Sequence, residues 1–266
     1  MRMFTLKEIL EKTACSELSV EEAEKLVRLQ AIVELDGIAK LDYKREERKG
    51  VPEVILAENK SVGDTVDIAV KMFEASGRVI ISRCTVQHVE ALRAAVVSKL
   101  SDAVCSVNER ARVVVIKRKD YPVVCSGGRV GLLTAGTSDI SVAEEVRVIS
   151  EEMGCMVYVE YDLGVAGIHR LLDPLKDLVV KDVDVIVVVA GREGALPSVV
   201  AGMVNVPVIA VPTSNSYGFG GKGVGTLMAM LQSCSLGIAV VNIDSGISAG
   251  AMATLIANRV AKFRKG

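Results

Sequence analysis

Along the second half of the chain, short continuous apolar runs alternate with stretches whose apolar positions recur every three or four residues. The runs at 130–134, 156–161, 183–189, 206–211 and 237–242 predict strands, and the segments at 142–153, 168–175, 197–203, 223–233 and 249–263 predict helices. Strands apolar throughout belong to a parallel sheet covered on both faces. Five such units in succession give an α/β fold class, a flavodoxin-like parallel-sheet sandwich. The first half reads differently. Residues 1–60 are charged and largely helical in pattern, with Ser19 and Glu22 spaced as a capping box and a short strand-like run at 53–57. A helix from Asp64, a strand at 78–81, a helix at 89–99 and a strand at 112–116 complete a smaller α/β domain. The expected division is 1–122 and 123–266.

Composition narrows the possibilities. Half of the 266 residues are apolar and 24% are charged, a globular balance. Thirty-two Lys and Arg against 33 Asp and Glu argue against a chain built to coat nucleic acid. The mean hydropathy is +0.38, yet the longest apolar runs are strand-length, short of the roughly 18 residues a membrane span needs. The N-terminal MRMFTLKEILEK has no apolar signal core, so a cytoplasmic protein without membrane contact is expected. Six cysteines without a CxxC pair and only two histidines exclude the usual zinc cage. Most of the thiols are expected as small buried hydrophobes, and the high apolar fraction points to a homo-oligomer.

In parallel sheets ligands bind beyond the carboxyl ends of the strands, and five loops there attract attention. In Gly136-Thr137-Ser138-Asp139 a strand end meets a helix start, which makes either an anion site or plain capping, with Ser141 and Glu144 as a capping box. His169 follows a Gly-rich turn and is either a proton carrier or a helix-terminal residue with an exposed ring. Glu193, between Gly191 and Gly194 after the most apolar strand, is a base of raised pKa if desolvated there, although Pro197 shows that part of this loop starts a helix. The stretch 213–225, containing Ser214, has five glycines and is either a close-approach loop or a lid without chemistry. Cys234 lies near a helix end with Gly237 as a candidate C-cap, and Asp244 follows the last strand. A helix carboxyl end disfavours a thiolate, so Cys234 is either a buried structural residue or one whose ligand is cationic.

Taken together, GTSD, EGALPSVVAG and VPVIAVPTS resemble the aminoimidazole ribonucleotide (AIR) carboxylase, or PurE, family. The versions DLGVAGIHRL, GREGALPSVV and MLQSCSLGIAVVNIDSG, with the upstream LDYKREERKGVPEV, are similar to the LarB family from about Asp36 to the C-terminus. The resemblance implies a carboxylase and hydrolase acting on nicotinic acid adenine dinucleotide and carbon dioxide. The products would be pyridinium-3,5-biscarboxylic acid mononucleotide and AMP, made by a homo-octamer with magnesium and no organic cofactor. It further implies Cys234 as a nucleophile that adds to the pyridinium ring, and Glu193 or His169 as the proton acceptor. Gly136, Thr137, Ser138 and Asp139 would form the phosphate and substrate loop, and Gly194, Ser214 and Asp244 the rest of the ligand edge, with Cys234 placed at that edge too. Asp42, Arg45 and Arg48 match the upstream motif, where guanidinium groups suit a pyrophosphate or a carboxylate; a solvated charged loop is the other reading. Two other functions stand beside this one, a PurE-type mutase acting on an aminoimidazole nucleotide and a non-catalytic nucleotide-binding protein.

Overall fold

The computed structural model describes residues 6–29, 33–35, 39–43 and 45–264. The chain divides into two compact units, residues 1–107 with 114–121 and residues 108–113 with 122–266. The first begins with helices α1 (Leu6–Ala14) and α2 (Val20–Leu29) and an antiparallel ribbon of β1 (Val33–Leu35) and β2 (Ala39–Leu41). There follow α3 (Arg45–Lys49), β3 (Val54–Leu56), α4 (Val62–Ser76), β4 (Arg78–Ser82), α5 (Val86–Lys99), β5 (Ala103–Asn108) and β6 (Val113–Arg118). Their sheet has the order β3-β4-β6-β5, with β3 parallel and β6 antiparallel to β4.

Local chemistry sets the helix ends. Glu22 N–H donates to Ser19 Oγ (3.1 Å) and Ser19 N–H donates to Glu22 Oε2 (2.9 Å), the expected capping box at the start of α2. Ser61 Oγ caps α4 by accepting from Asp64 N–H, and Gly77 closes it at φ +74°, a conformation glycine adopts without a Cβ clash. Ile68, Met72 and Phe73 of α4 and Leu92 of α5 then pack on Val79, Ile81, Val114 and Ile116 of the sheet. Strands β1, β2 and β5 were not expected. β5 alternates between partly buried and exposed positions with polar residues interspersed, so it lacks a continuous apolar run.

The second unit contains β7 (Arg129–Thr134), α6 (Ile140–Glu152), β8 (Met156–Glu160), α7 (His169–Val180), β9 (Val185–Ala190), α8 (Leu196–Ala201), β10 (Val208–Pro212), α9 (Val224–Leu231), β11 (Ile238–Val240) and α10 (Gly246–Arg264). All five strands are parallel in the order β11-β10-β9-β7-β8, which is the flavodoxin-like arrangement. Central strand β9 is buried at every position, and each of its Val and Ile side chains contributes about 1.5–3 kcal/mol of apolar burial. One sheet face carries α6 and α10, through Val142, Val146, Ala249 and Ala253. The other carries α7, α8 and α9, through Leu171, Leu175, Val200 and Met230. No helix among the described residues is long and apolar enough to cross a membrane.

Two expectations about single residues are corrected here. Only Cys84 and Cys155 are buried; Cys15, Cys125 and Cys234 are exposed and Cys105 is half-buried. Glu144 makes no capping box with Ser141, because α6 is entered from a tight turn at Thr137–Asp139 and Glu144 is drawn into a buried cluster instead. Glu144 accepts from Arg147 Nε (2.8 Å) and Nη2 (2.6 Å), from Asn108 Nδ2 (2.5 Å) and from the Tyr161 hydroxyl. Burial pushes its pKa up, but the hydrogen bonds from Arg147, Tyr161 and Asn108 outweigh burial and hold it at about 2. A carboxylate depressed from 4.5 stabilises the fold fully above about pH 4.5, and that stability is lost as the pH falls toward 2. Glu144→Ala is therefore expected to cost about 3 kcal/mol at neutral pH and to flatten the acid limb between pH 4.5 and 2. Denaturant melts across that range would show it, and parallel acid limbs in both proteins would refute it.

Candidate active site

The chain runs from β7 outward to β8 on one side and returns to β9 on the other, so β7 and β9 flank the topological switch point. A cavity of about 410 Å³ lies there, lined by the loops that follow β7, β8, β9 and β10. Gly136, Ser138 and Asp139 come from the first loop, Gly191, Arg192 and Glu193 from the third, and Asn215 from the fourth.

Asp139 holds these loops together. Its buried carboxylate accepts from Gly136 N–H (3.0 Å) through Oδ2, and from Thr213 Oγ1 (2.7 Å) and Asn215 Nδ2 (3.5 Å) through Oδ1. Asn215 Nδ2 also donates to the Ser138 carbonyl (2.7 Å). Gly191 is required by this convergence, since a Cβ there would lie 2.8 Å from Thr213 Oγ1. Asp139 is thus committed to positioning, while Ser138 remains exposed at the cavity wall.

The turns at this edge carry backbone strain. Asp162, Arg192 and Asp244, which follow β8, β9 and β11, have φ of +63°, +55° and +53°. A non-glycine residue in the left-handed region costs about 1–2 kcal/mol. Hydrogen bonds fix each turn. Asp162 N–H donates to Thr134 Oγ1 (3.0 Å), Thr226 Oγ1 donates to the Arg192 carbonyl (2.5 Å), and Ser214 N–H donates to Asp244 Oδ1 (2.8 Å).

The residues singled out from the sequence separate into groups. Gly136, Ser138, Asp139 and Glu193 meet in the cavity. Thr137, Gly194 and Ser214 flank it on the same loops without being part of its lining, Gly194 through a turn at φ +65°, and Asp244 lies on the loop after β11, tied to the fourth loop through Ser214 N–H. Glu193 is exposed, so the desolvation expected for it is not met within a single chain. His169 is the exposed first residue of α7, outside the cavity lining. Cys234 requires the largest correction. It lies in the turn leading from α9 into β11, and such a turn belongs to the amino edge of a parallel sheet, opposite the cavity. There Ser233 Oγ and Ser198 Oγ are 2.8 Å apart, and Ser235 Oγ donates to the Ser198 carbonyl (2.8 Å). The helix is capped at Gln232 and not through Gly237, and the thiol is exposed, not buried. In the first unit, Arg48 forms a two-pronged ion pair with Asp42, and Asp42 N–H donates to Glu53 Oε2 (2.8 Å). Arg45 opens α3 nearby.

Sequence reasoning missed Thr213, Asn215 and Tyr217, although all three directly follow β10 and so lie at the strand end where ligands bind. No group of three or more His, Cys, Asp or Glu side chains among the described residues is placed to hold a metal ion. Among the described residues the protein alone therefore makes no such metal site, and a magnesium ion would need oxygens of a bound phosphate beside one or two carboxylates.

Comparison with known proteins agrees with this architecture. Residues 129–264 match the AIR carboxylase family model, and residues 33–119 match the LarB/PurE-like N-terminal domain model. An uncharacterized protein of Methanocaldococcus jannaschii is 43% identical over 261 residues, covering 95% of this chain and 96% of that protein. The N5-carboxyaminoimidazole ribonucleotide mutase of the same organism is 32% identical over 124 residues, 46% of this chain and 74% of the mutase. The Thermotoga maritima mutase is 29% identical over 133 residues, covering 48% and 74% respectively. With a LarB-type N-terminal domain joined to an AIR carboxylase domain, the chain belongs to the LarB family of the PurE-like superfamily.

Proposed function

We infer that this protein carboxylates the pyridinium ring of nicotinic acid adenine dinucleotide and cleaves its phosphoanhydride, releasing AMP. The observation that carries the reading is a switch-point cavity whose wall adds a guanidinium and a second carboxylate, Arg192 and Glu193, to the already bonded Asp139, in a chain whose turn 232–237 presents an exposed thiol. A pyridinium ring is electrophilic, and an aminoimidazole is already electron-rich. Only the pyridinium substrate gives a cysteine a task.

The steps balance. The Cys234 thiolate adds to a ring carbon beside C5, forming a C–S bond and leaving a neutral, enamine-like ring. C5 then attacks carbon dioxide, and the new C–C bond leaves a proton on C5. Glu193 takes that proton, the C–S electron pair returns to sulfur, and expulsion of the thiolate restores the aromatic ring. Glu193 is preferred to His169 as acceptor because it lines the cavity. Water then attacks the phosphoanhydride to give the mononucleotide and AMP.

Because Cys234 lies on the amino edge of its own sheet, the thiol reaches a cavity when a second copy supplies it. Beside it Leu231 and Leu236 are exposed, as are Met228 and Val224 further back along α9, an apolar surface of the kind that subunit contacts cover. This supports a homo-oligomer, proposed as an octamer. Incubating the full chain with the dinucleotide, magnesium and isotopically labelled bicarbonate should yield AMP and a labelled dicarboxylated mononucleotide by mass spectrometry. Glu193→Gln should reduce carboxylation about 100-fold or more. Unchanged dinucleotide, or turnover of an aminoimidazole ribonucleotide in its place, would refute the reading.

A further inference from the structure

Arg192 occupies a position its backbone does not favour. The turn has glycine on either side, Gly191 and Gly194, yet the residue at φ +55° is an arginine. Thr226, fully buried, holds that conformation through the Arg192 carbonyl. The guanidinium meets only a neutral partner. Its Cζ lies 3.9 Å from the centroid of the Tyr217 ring, and Nη2 donates to the Tyr217 hydroxyl (2.5 Å). Among the described residues no carboxylate pairs with it: Asp139 is occupied by Gly136, Thr213 and Asn215, and Glu193 makes no ion pair. The cavity wall therefore presents adjacent opposite charges, neither neutralised by the other.

We propose that Arg192 recognises a carboxylate on the ring of a pyridinium nucleotide and selects the ring acid over the ring amide. This rests on the proposed function and names the group that determines its substrate. A phenol oxygen and a π face satisfy a guanidinium incompletely, whereas a carboxylate offers two acceptors matched to its fork. A carboxamide presents one acceptor and an NH₂ group, so one guanidinium N–H would face another donor. A site built to bond a charged group rejects the analogue that leaves its own polar atoms unpaired. Glu193, the next residue, supplies negative charge toward the cationic ring, so the pair matches a zwitterionic nicotinate.

The test is calorimetric titration of the full chain with nicotinic acid mononucleotide and with nicotinamide mononucleotide. Wild type should prefer the acid by about tenfold or more. Arg192→Gln should lose that preference by weakening the acid alone, and Arg192→Lys should retain part of it. Arg192→Gly, which relaxes the left-handed backbone, keeps the test independent of folding and should also lose the preference. Equal weakening of both ligands in Arg192→Gln would mean that the residue holds phosphate, and would overturn the proposal. So would wild type that binds both ligands without preference, leaving the proposed function intact. Wild type that binds neither would overturn both.

Discussion

Cys234→Ala abolishes incorporation of labelled bicarbonate into the nucleotide while the protein melts within about 1 °C of wild type, because an exposed side chain leaves no cavity behind. The sharper expectation concerns mixtures. Glu193→Gln lines the cavity of one copy and Cys234→Ala sits on the opposite sheet edge, so each variant alone has only defective sites. If the thiol crosses between copies, unfolding and co-refolding the two variants restores activity at about a quarter of the sites, by random pairing of symmetric subunits. If the thiol serves its own chain, every site keeps one lesion and activity stays at background. Carboxylation by Cys234→Ala at the wild-type rate would remove the covalent step altogether.

The parts of this molecule legible in the sequence are those that depend on neighbours along the chain. The run at 183–189 reads as a buried strand because β9 is covered on both faces, and Ser19 announces α2 because its partner is three residues away. β5 was missed because an edge strand has no reason to be continuously apolar. At the site, Ser138, Asp139 and Glu193 were found because strand ends mark where ligands bind. The grip of Asp139 on Thr213 spans 74 residues and the Arg192–Tyr217 pair spans 25, and no local periodicity encodes either. Cys234 was misplaced for a different reason. Its motif points to chemistry, but a turn from helix to strand lies on the edge away from the strand ends, which its position between α9 and β11 already implies.

Gly250→Leu is expected to be the most damaging single substitution for stability. Helices α6 and α10 approach closely along a stripe of small residues, Gly246, Ala249, Gly250 and Ala253. A Cβ at position 250 would lie 2.1 Å from Ile149 Cγ2 and 2.9 Å from the Val146 carbonyl oxygen. The first is a side chain fully buried among its neighbours and the second is backbone, so neither can yield without moving α6. Overpacking of this kind costs about 3 kcal/mol or more, equivalent to a fall in Tm of about 6–12 °C for a domain of this size. The strain would be transmitted to the site, because α6 begins directly after Asp139. Gly221→Ala is the control: nothing lies within 4 Å of its added Cβ and its φ of −43° suits any residue, so its Tm should stay near wild type. A Gly250→Leu protein that melts with wild type would mean that the two helices are not in contact along this stripe.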